Sequence, residues 1–257
     1  MIVYLYDPDM NEVSHNDTRH PELLYRVAVA NGTPLASAIT TVTNEFARRR
    51  RTYHGVNPRN TISKLVIVSH GAPGTVRIGD VLTPNNVSVL GPLAPFFATG
   101  NEGVIFEGCS IVANSVGLRP QYTSWDEILN AYPESTYPNV SARSSAIASY
   151  LNPMGGNYQL ERSPGMALLR AVADLLHTSV CAGIGMQLSN PNGPIVSIAG
   201  HPTTDLSDFE GEYVSVEPGG HYTTMQGTPY PTFVRMIIDP RPVSTERPEA
   251  PVDLTGL

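Results

Sequence analysis

Two side chains in this 257-residue sequence have the chemistry of a nucleophile and of the base that activates it, Cys109 and His70. His70 follows the apolar run 65–69, and Cys109 comes shortly after the apolar run 103–106. A thiol is mostly protonated at neutral pH, whereas a nearby imidazole can take its proton and later return it to a leaving amine. We therefore predict that Cys109 is a nucleophile and that His70 is its general base and acid.

The segments around these two residues alternate between predicted strands and predicted helices. Apolar runs predict strands at 2–6, 65–69 and 103–106. Helices are predicted to begin at Thr33-Pro34, with Thr33 as the N-cap and Leu35, Ile39, Val42 and Phe46 on the buried face, and at Thr83-Pro84. Such an alternation is typical of an α/β protein with a mostly parallel sheet.

A parallel sheet would bring His70 and Cys109 to one edge, because the carboxyl ends of parallel strands meet there. Consecutive strands joined by a single crossover often lie side by side, so we expect the two side chains to emerge together. Gly71 and Gly108 leave room for a substrate carbonyl beside them. The backbone N–H groups of Gly71 and Cys109 are then the candidate oxyanion hole.

The rest of the chain is predicted to extend the same domain, which we place at residues 1–239. A hairpin is predicted at 75–82, an insertion or loop at 118–164 with a weak helix signal at 124–127, and a helix from Ser163-Pro164 to His177 with Met166, Leu169, Val172 and Leu176 buried. Further strands are predicted at 179–183, 195–199, 213–216 and 232–238, followed by a proline-rich tail at 240–257.

The order of these motifs resembles the caspase-like cysteine peptidases, a superfamily that includes caspases, metacaspases, legumains and gingipains. Its members have an apolar strand that ends in His-Gly and a second that ends in a polar residue, a small residue and Cys. Here these are His70-Gly71 and Glu107-Gly108-Cys109, and the motif style is similar to a bacterial caspase-like domain. The resemblance implies a three-layer αβα sandwich and a cysteine endopeptidase with a Cys109–His70 dyad.

The resemblance also implies a place for Glu107, since the residue two before the cysteine borders the primary specificity pocket in this superfamily. A buried carboxylate favours a cationic partner or a hydrogen-bond donor. We therefore expect cleavage after Arg or Lys, with Asn as second choice. Asp7, at the end of the first strand, is expected to add negative charge to this pocket. A structural alternative for Glu107 is a cap on the turn that follows its strand.

Composition narrows the possible partners and locations. The 16 Lys and Arg against 23 Asp and Glu give a formal charge of −7, which argues against a nucleic acid partner. Two cysteines exclude a disulfide framework, and no close-spaced Cys/His pair predicts zinc, so we expect no metal or cofactor. Without a signal-peptide pattern or an apolar run of about 18 residues, we expect a cytoplasmic protein that acts on proteins or peptides and not at a membrane.

Other interpretations of the same residues remain open. One alternative is a catalytically silent caspase-like binding or assembly module in which His70 and Cys109 are relics. An α/β-hydrolase-type esterase is a further alternative, although no G-x-S-x-G nucleophile elbow occurs in the chain. Cys181 is predicted to be a small buried core residue, and His201 and His221 to lie at the surface. The arginines from Arg48 to Arg51 are expected to stabilise the end of a helix.

Overall fold

The computed structural model describes residues 1–8, 23–108, 111–113, 125–151, 160–185 and 211–227, together with Val234 and Ile238. In this part of the chain seven strands form one sheet: β1 (Ile2–Tyr6), β2 (Leu24–Ala28), β3 (Lys64–Val68), β7 (Gly103–Glu107), β8 (Val180–Gly183), β9 (Glu212–Val216) and β10 (Tyr222–Gln226). Three shorter strands form a second sheet: β4 (His70–Ala72), β5 (Thr75–Ile78) and β6 (Asp80–Leu82). The α-helices are α1 (Leu35–Thr52), α2 (Trp125–Ala131), α3 (Val140–Leu151) and α4 (Pro164–Leu176).

The large sheet is mostly parallel and has the strand order β10-β9-β8-β7-β3-β1-β2. All neighbours from β2 to β8 pair in parallel, and β9 runs antiparallel to both β8 and β10. The predicted α/β fold with a mostly parallel sheet is therefore confirmed at this level. Its parallel part follows the 2-1-3-4-5 order of a doubly wound sheet, in which ligands bind at the carboxyl ends near the point where the order reverses.

Both faces of the sheet are buried, and the helices next to the site lie on one of them. The connections from β2 to β3, β3 to β7 and β7 to β8 all add strands in one direction, so right-handed crossovers place them on the same face. Accordingly, α1, the 3-10 helix Val87–Phe96 and α4 share a core with that face. On the opposite face a second buried cluster contains Tyr4, Val66, Val68, Ile105, Cys181 and Tyr213.

The two longest helices were predicted correctly except for one cap. The predicted buried residues of α1 and α4 are all buried, and Ser163 caps α4 by accepting a hydrogen bond from the Gly165 amide at 3.1 Å. The prediction that Thr33 caps α1 is wrong, because Pro34 occupies the cap position and makes no side-chain cap. The Asp80 carboxylate accepts from the Leu35 amide at 3.1 Å instead. The cap therefore comes from the first residue of β6, which lies 45 residues along the chain from Leu35 and could not be identified from local sequence spacing.

The run of arginines lies in the last turns of α1, as predicted. Arg48 and Arg49 form ion pairs with Glu45 at 2.7 and 2.6 Å, and these contacts lower the pKa of the Glu45 carboxyl to about 2. Arg50 stacks over the Phe96 ring, with 4.3 Å between the guanidinium carbon and the ring centroid. Arg48, Arg49 and Arg50 therefore have structural contacts, and cations are favourable at the carboxyl end of a helix.

Part of the predicted insertion at 118–164 is helical, which corrects its interpretation as a loop. Helix α2 agrees with the weak signal at 124–127, whereas α3 was not predicted. Arg143 on α3 donates from Nε to the Tyr132 carbonyl at 2.7 Å and from Nη2 to the Leu129 carbonyl at 3.2 Å. These bonds satisfy carbonyl groups at the end of α2, so the two helices support each other.

Two further predictions need correction. The helix predicted after Thr83-Pro84 is the 3-10 helix Val87–Phe96, whose interior contains Pro92 and Pro95, residues without an N–H for the α-helical ladder. The predicted strand at 232–238 is wrong for its two described residues, since Val234 and Ile238 are helical and pack with the α2–α3 cluster. Residues four apart share a helix face, which suits this packing. The predicted strand at 195–199 and the tail at 240–257 lie outside the described residues.

Candidate active site at the carboxyl edge of the sheet

The strands that lead to His70 and to Cys109 are hydrogen-bonded neighbours. β3 and β7 pair in parallel with Val68 opposite Glu107, and the Ser69 amide continues the ladder by donating to the Glu107 carbonyl at 3.1 Å. The expectation that these two strands lie side by side is therefore confirmed. Cys109 itself, with Ser110, lies outside the described residues, so its role stays a prediction.

His70 is the first residue of β4, where the chain leaves the large sheet and enters the small one. The imidazole-bearing residue is exposed, whereas the preceding Ser69 is completely buried. The small sheet is anchored because Val76, Ile78 and Leu82 are buried in the main core. His70 is thus an exposed residue on a fixed support at the carboxyl edge.

Gly108 is a glycine because two backbone segments approach each other closely at this point. A Cβ atom at position 108 would lie 2.8 Å from the Ser69 carbonyl oxygen and 3.4 Å from the Gly71 amide nitrogen. The first distance is shorter than real Cβ contacts allow. The backbone that carries His70-Gly71 therefore packs directly on the residue that precedes Cys109.

The segment after Cys109 is also held in place, at residues 111–113. The Gly74 amide donates to the Ile111 carbonyl at 2.9 Å, and the buried Ser163 Oγ donates to the Val112 carbonyl at 2.6 Å. At Gly165 a Cβ atom would overlap the Ile111 carbonyl oxygen and would lie 2.6 Å from the Val112 Cα. The small sheet and the start of α4 thereby fix the chain that follows the candidate nucleophile.

Glu107 and Asp7, the two carboxylates predicted for the specificity pocket, differ in burial and lie on opposite faces of the large sheet. Glu107 is half-buried and shares the sheet face of Val68, with which it is in register. Asp7 is only 6 % exposed, and its amide donates to the Val68 carbonyl at 3.0 Å. Alternation along β1 assigns Asp7 to the opposite side, that of Leu5, two strand spacings or about 10 Å from β7. Glu107 is therefore the better-placed of the two for contact with a substrate.

Cys181 and His221 have the surroundings that the sequence predicted. Cys181 lies in β8, is 2 % exposed, and has a pKa raised mainly by burial. A thiol in this state is a poor nucleophile at neutral pH. His221 is exposed in the turn between β9 and β10, and His201 lies outside the described residues.

One residue at this edge was not predicted, the arginine opposite His70. In the antiparallel pairing of β4 and β5, His70 faces Arg77, Gly71 faces Val76 and Ala72 faces Thr75. The register follows from the two-residue turn Pro73-Gly74, where Gly74 has a φ of +70° that glycine tolerates. This proline–glycine turn was the sequence signal that would have placed Arg77 beside His70.

Among the described residues no group of three or more His, Cys, Asp or Glu side chains could hold a metal ion. Within the same residues, no helix has the length and apolarity needed to cross a membrane. No family model matches the chain, and comparisons with curated proteins and with solved structures likewise give no match.

Proposed function

We propose that this protein is a cysteine endopeptidase of the caspase-like type, in which Cys109 is the nucleophile and His70 is the general base and acid. One observation carries the proposal: the strand that leads to His70-Gly71 is the hydrogen-bonded neighbour of the strand that leads to Cys109. The close packing of Gly108 on Ser69 and Gly71 supports it, because it keeps the two strand ends in contact at the edge where α/β proteins bind ligands.

The reaction would use these residues in two half-reactions. In the first, His70 takes the thiol proton, the Cys109 sulfur attacks the peptide carbonyl carbon, and the Gly71 and Cys109 amides bind the oxyanion. Collapse of this intermediate breaks the C–N bond, and the His70 imidazolium protonates the leaving amine. In the second, water gives a proton to His70 and its oxygen attacks the thioester carbonyl carbon. The C–S bond then breaks, the acid is released, and the His70 imidazolium returns the proton to the Cys109 sulfur.

The proposal also covers the layer architecture and the partner that the resemblance to caspase-like peptidases implies. It takes the sheet as the centre of a three-layer αβα sandwich, which is supported by the buried side chains on both sheet faces. The partner is a protein or peptide substrate, and the acidic balance of the chain supports the exclusion of nucleic acid.

Glu107 would set the preference for the residue before the cleaved bond. Its carboxylate is half-buried at the end of β7, one residue before Gly108, where desolvation strengthens its attraction for a cation. A guanidinium or ammonium group would pair with it, and an asparagine amide would donate a hydrogen bond. An aspartate at this substrate position would place two carboxylates together, which is unfavourable.

A peptide panel tests this preference. We expect faster hydrolysis after Arg or Lys than after Asn, and no detectable hydrolysis after Asp. Glu107→Gln should reduce the preference for Arg over Asn about tenfold, equivalent to about 1.4 kcal/mol. Glu217→Gln removes an exposed carboxylate in the turn between β9 and β10 and should leave the preference unchanged. A clear preference for Asp would contradict the proposed pocket, and hydrolysis of no peptide would favour a silent binding module.

A further inference from the structure

The outer face of the small sheet carries side chains besides His70 that have no role in the proposed reaction. Alternation along β5 places Val76 and Ile78 in the core, and Thr75 and Arg77 on the outside. The outer face therefore comprises five residues: His70, Ala72, Thr75, Arg77 and Val81. Apart from His70 and Arg77 this face is made of small or apolar side chains, and Val81 is 46 % exposed.

His70, Arg77 and Val81 form one row across this face. His70 lies opposite Arg77 on the neighbouring strand, and Arg77 lies opposite Val81 on the next. Directly opposite residues of an antiparallel pair have Cβ atoms about 4.5–5.5 Å apart and project from the same face. An exposed guanidinium therefore stands beside the candidate general base, and an exposed apolar side chain stands about 10 Å from it.

Arg77 has no counter-ion in the part of the chain that the structure describes. The ion pairs there connect other residues, such as Arg143 with Glu134 and Arg170 with Glu161. An exposed guanidinium with its donors unused matches a carboxylate, which it can bind through two parallel hydrogen bonds. A substrate chain that extends from His70 across the neighbouring strands would pass over this face. The Arg77 and His70 Cβ atoms lie about 4.5–5.5 Å apart, less than the length of two extended residues, so the carboxylate would lie within about three residues of the cleaved bond.

We propose that Arg77 is a specificity-determining residue that selects substrate peptides with an Asp or Glu within about three residues of the cleaved bond, bound on the outer face of the β4–β5–β6 sheet. This inference rests on the proposed function. It makes the preferred substrate bipolar, with a basic side chain at Glu107 and an acidic one at Arg77. Since the whole chain carries a charge of −7, Arg77 acts as a local contact and not through the overall field.

Paired peptides test the inference. Each pair contains one Arg as the residue before the cleaved bond, and a Glu or a Gln at one of the three positions on either side. At low salt the Glu peptide of at least one pair should have a kcat/KM about two- to fivefold higher, the range of an exposed charge pair. The preference should disappear in Arg77→Gln and persist in part in Arg77→Lys. It should persist fully in Arg51→Gln, which changes the net charge equally in the last turn of α1.

Binding of the same peptides to Cys109→Ala, followed by fluorescence anisotropy, separates this inference from the proposed function. A preference for Glu in binding that depends on Arg77 would support the inference even if no peptide is hydrolysed, and the lack of hydrolysis would then count against the peptidase alone. Equal binding and equal hydrolysis of every Glu and Gln pair would overturn the inference. A Glu preference that survives in Arg77→Gln would overturn it as well.

Discussion

His70→Ala is expected to lower kcat/KM for the preferred basic peptide by roughly 10²–10⁴-fold, the range that general acid–base catalysis supplies. The substitution removes both the acceptor of the thiol proton and the donor to the leaving amine. Because His70 is exposed, its truncation leaves no cavity in the core, and the folded state should persist. Steady-state kinetics with an Arg peptide, together with a thermal melt of the same preparation, measures both effects.

His221→Ala is the matched control for this prediction. His221 is also exposed, but it lies in the turn between β9 and β10. The Glu217 amide donates to the His221 backbone carbonyl at 2.8 Å, a contact that does not involve the imidazole. Its replacement should change kcat/KM by less than twofold. A His70→Ala protein that retains at least half of the normal activity would show that another group activates the nucleophile.

Gly165→Ala is expected to have the largest effect on stability, a loss of about 2–3 kcal/mol in the free energy of unfolding. Alanine normally favours a helix over glycine by about 1 kcal/mol. Here its Cβ would overlap the Ile111 carbonyl oxygen and would lie 2.6 Å from the Val112 Cα, and neither backbone atom can rotate away. Overpacking of this kind typically costs 1–3 kcal/mol, and the clash with backbone outweighs the gain in helix propensity.

Gly91→Ala provides the control, because its Cβ would meet only the Leu175 Cδ1 at an ordinary 3.6 Å. In a chain of this size, 2–3 kcal/mol corresponds to roughly 4–12 °C in Tm. Gly165→Ala should lose this amount and Gly91→Ala should lose little. Because the strained residues directly follow Cys109-Ser110, peptide hydrolysis by folded Gly165→Ala should fall as well. Equal melting temperatures for Gly165→Ala and the unmodified protein would contradict the described packing of α4 on residues 111–113.

The central strands could be predicted because each of them contains a continuous apolar run. All five residues of β3 are buried, which is the signature of a parallel strand with both faces covered. The edge strands β2 and β10 were missed because they mix polar and apolar side chains. Their conformation is stabilised by pairing with a neighbour, which a single sequence does not encode locally. Helix α3 escaped prediction for a similar reason, since its serine-rich sequence depends on the contacts of Arg143.

The sequence predicted only those features of the candidate site that depend on where the strands end. His70 and Glu107 could be assigned to one edge because each comes at the carboxyl end of an apolar strand. The sheet faces on which Asp7 and Glu107 lie depend on strand register. The cross-strand partner of His70 depends on the hairpin turn between β4 and β5. Register of this kind is set by pairing partners and turn geometry, so it emerged only with the fold.

The most direct test of the central claim is the position and rate of labelling by an irreversible electrophilic peptide probe with Arg as its recognition residue. Intact mass and peptide mapping should show one equivalent of probe on Cys109 and none on Cys181, whose pKa is raised by burial. His70→Ala should slow this labelling by the same factor as it slows hydrolysis. Labelling of Cys109 and Cys181 at similar rates, unchanged in His70→Ala, would contradict the claim that Cys109 and His70 form a catalytic pair.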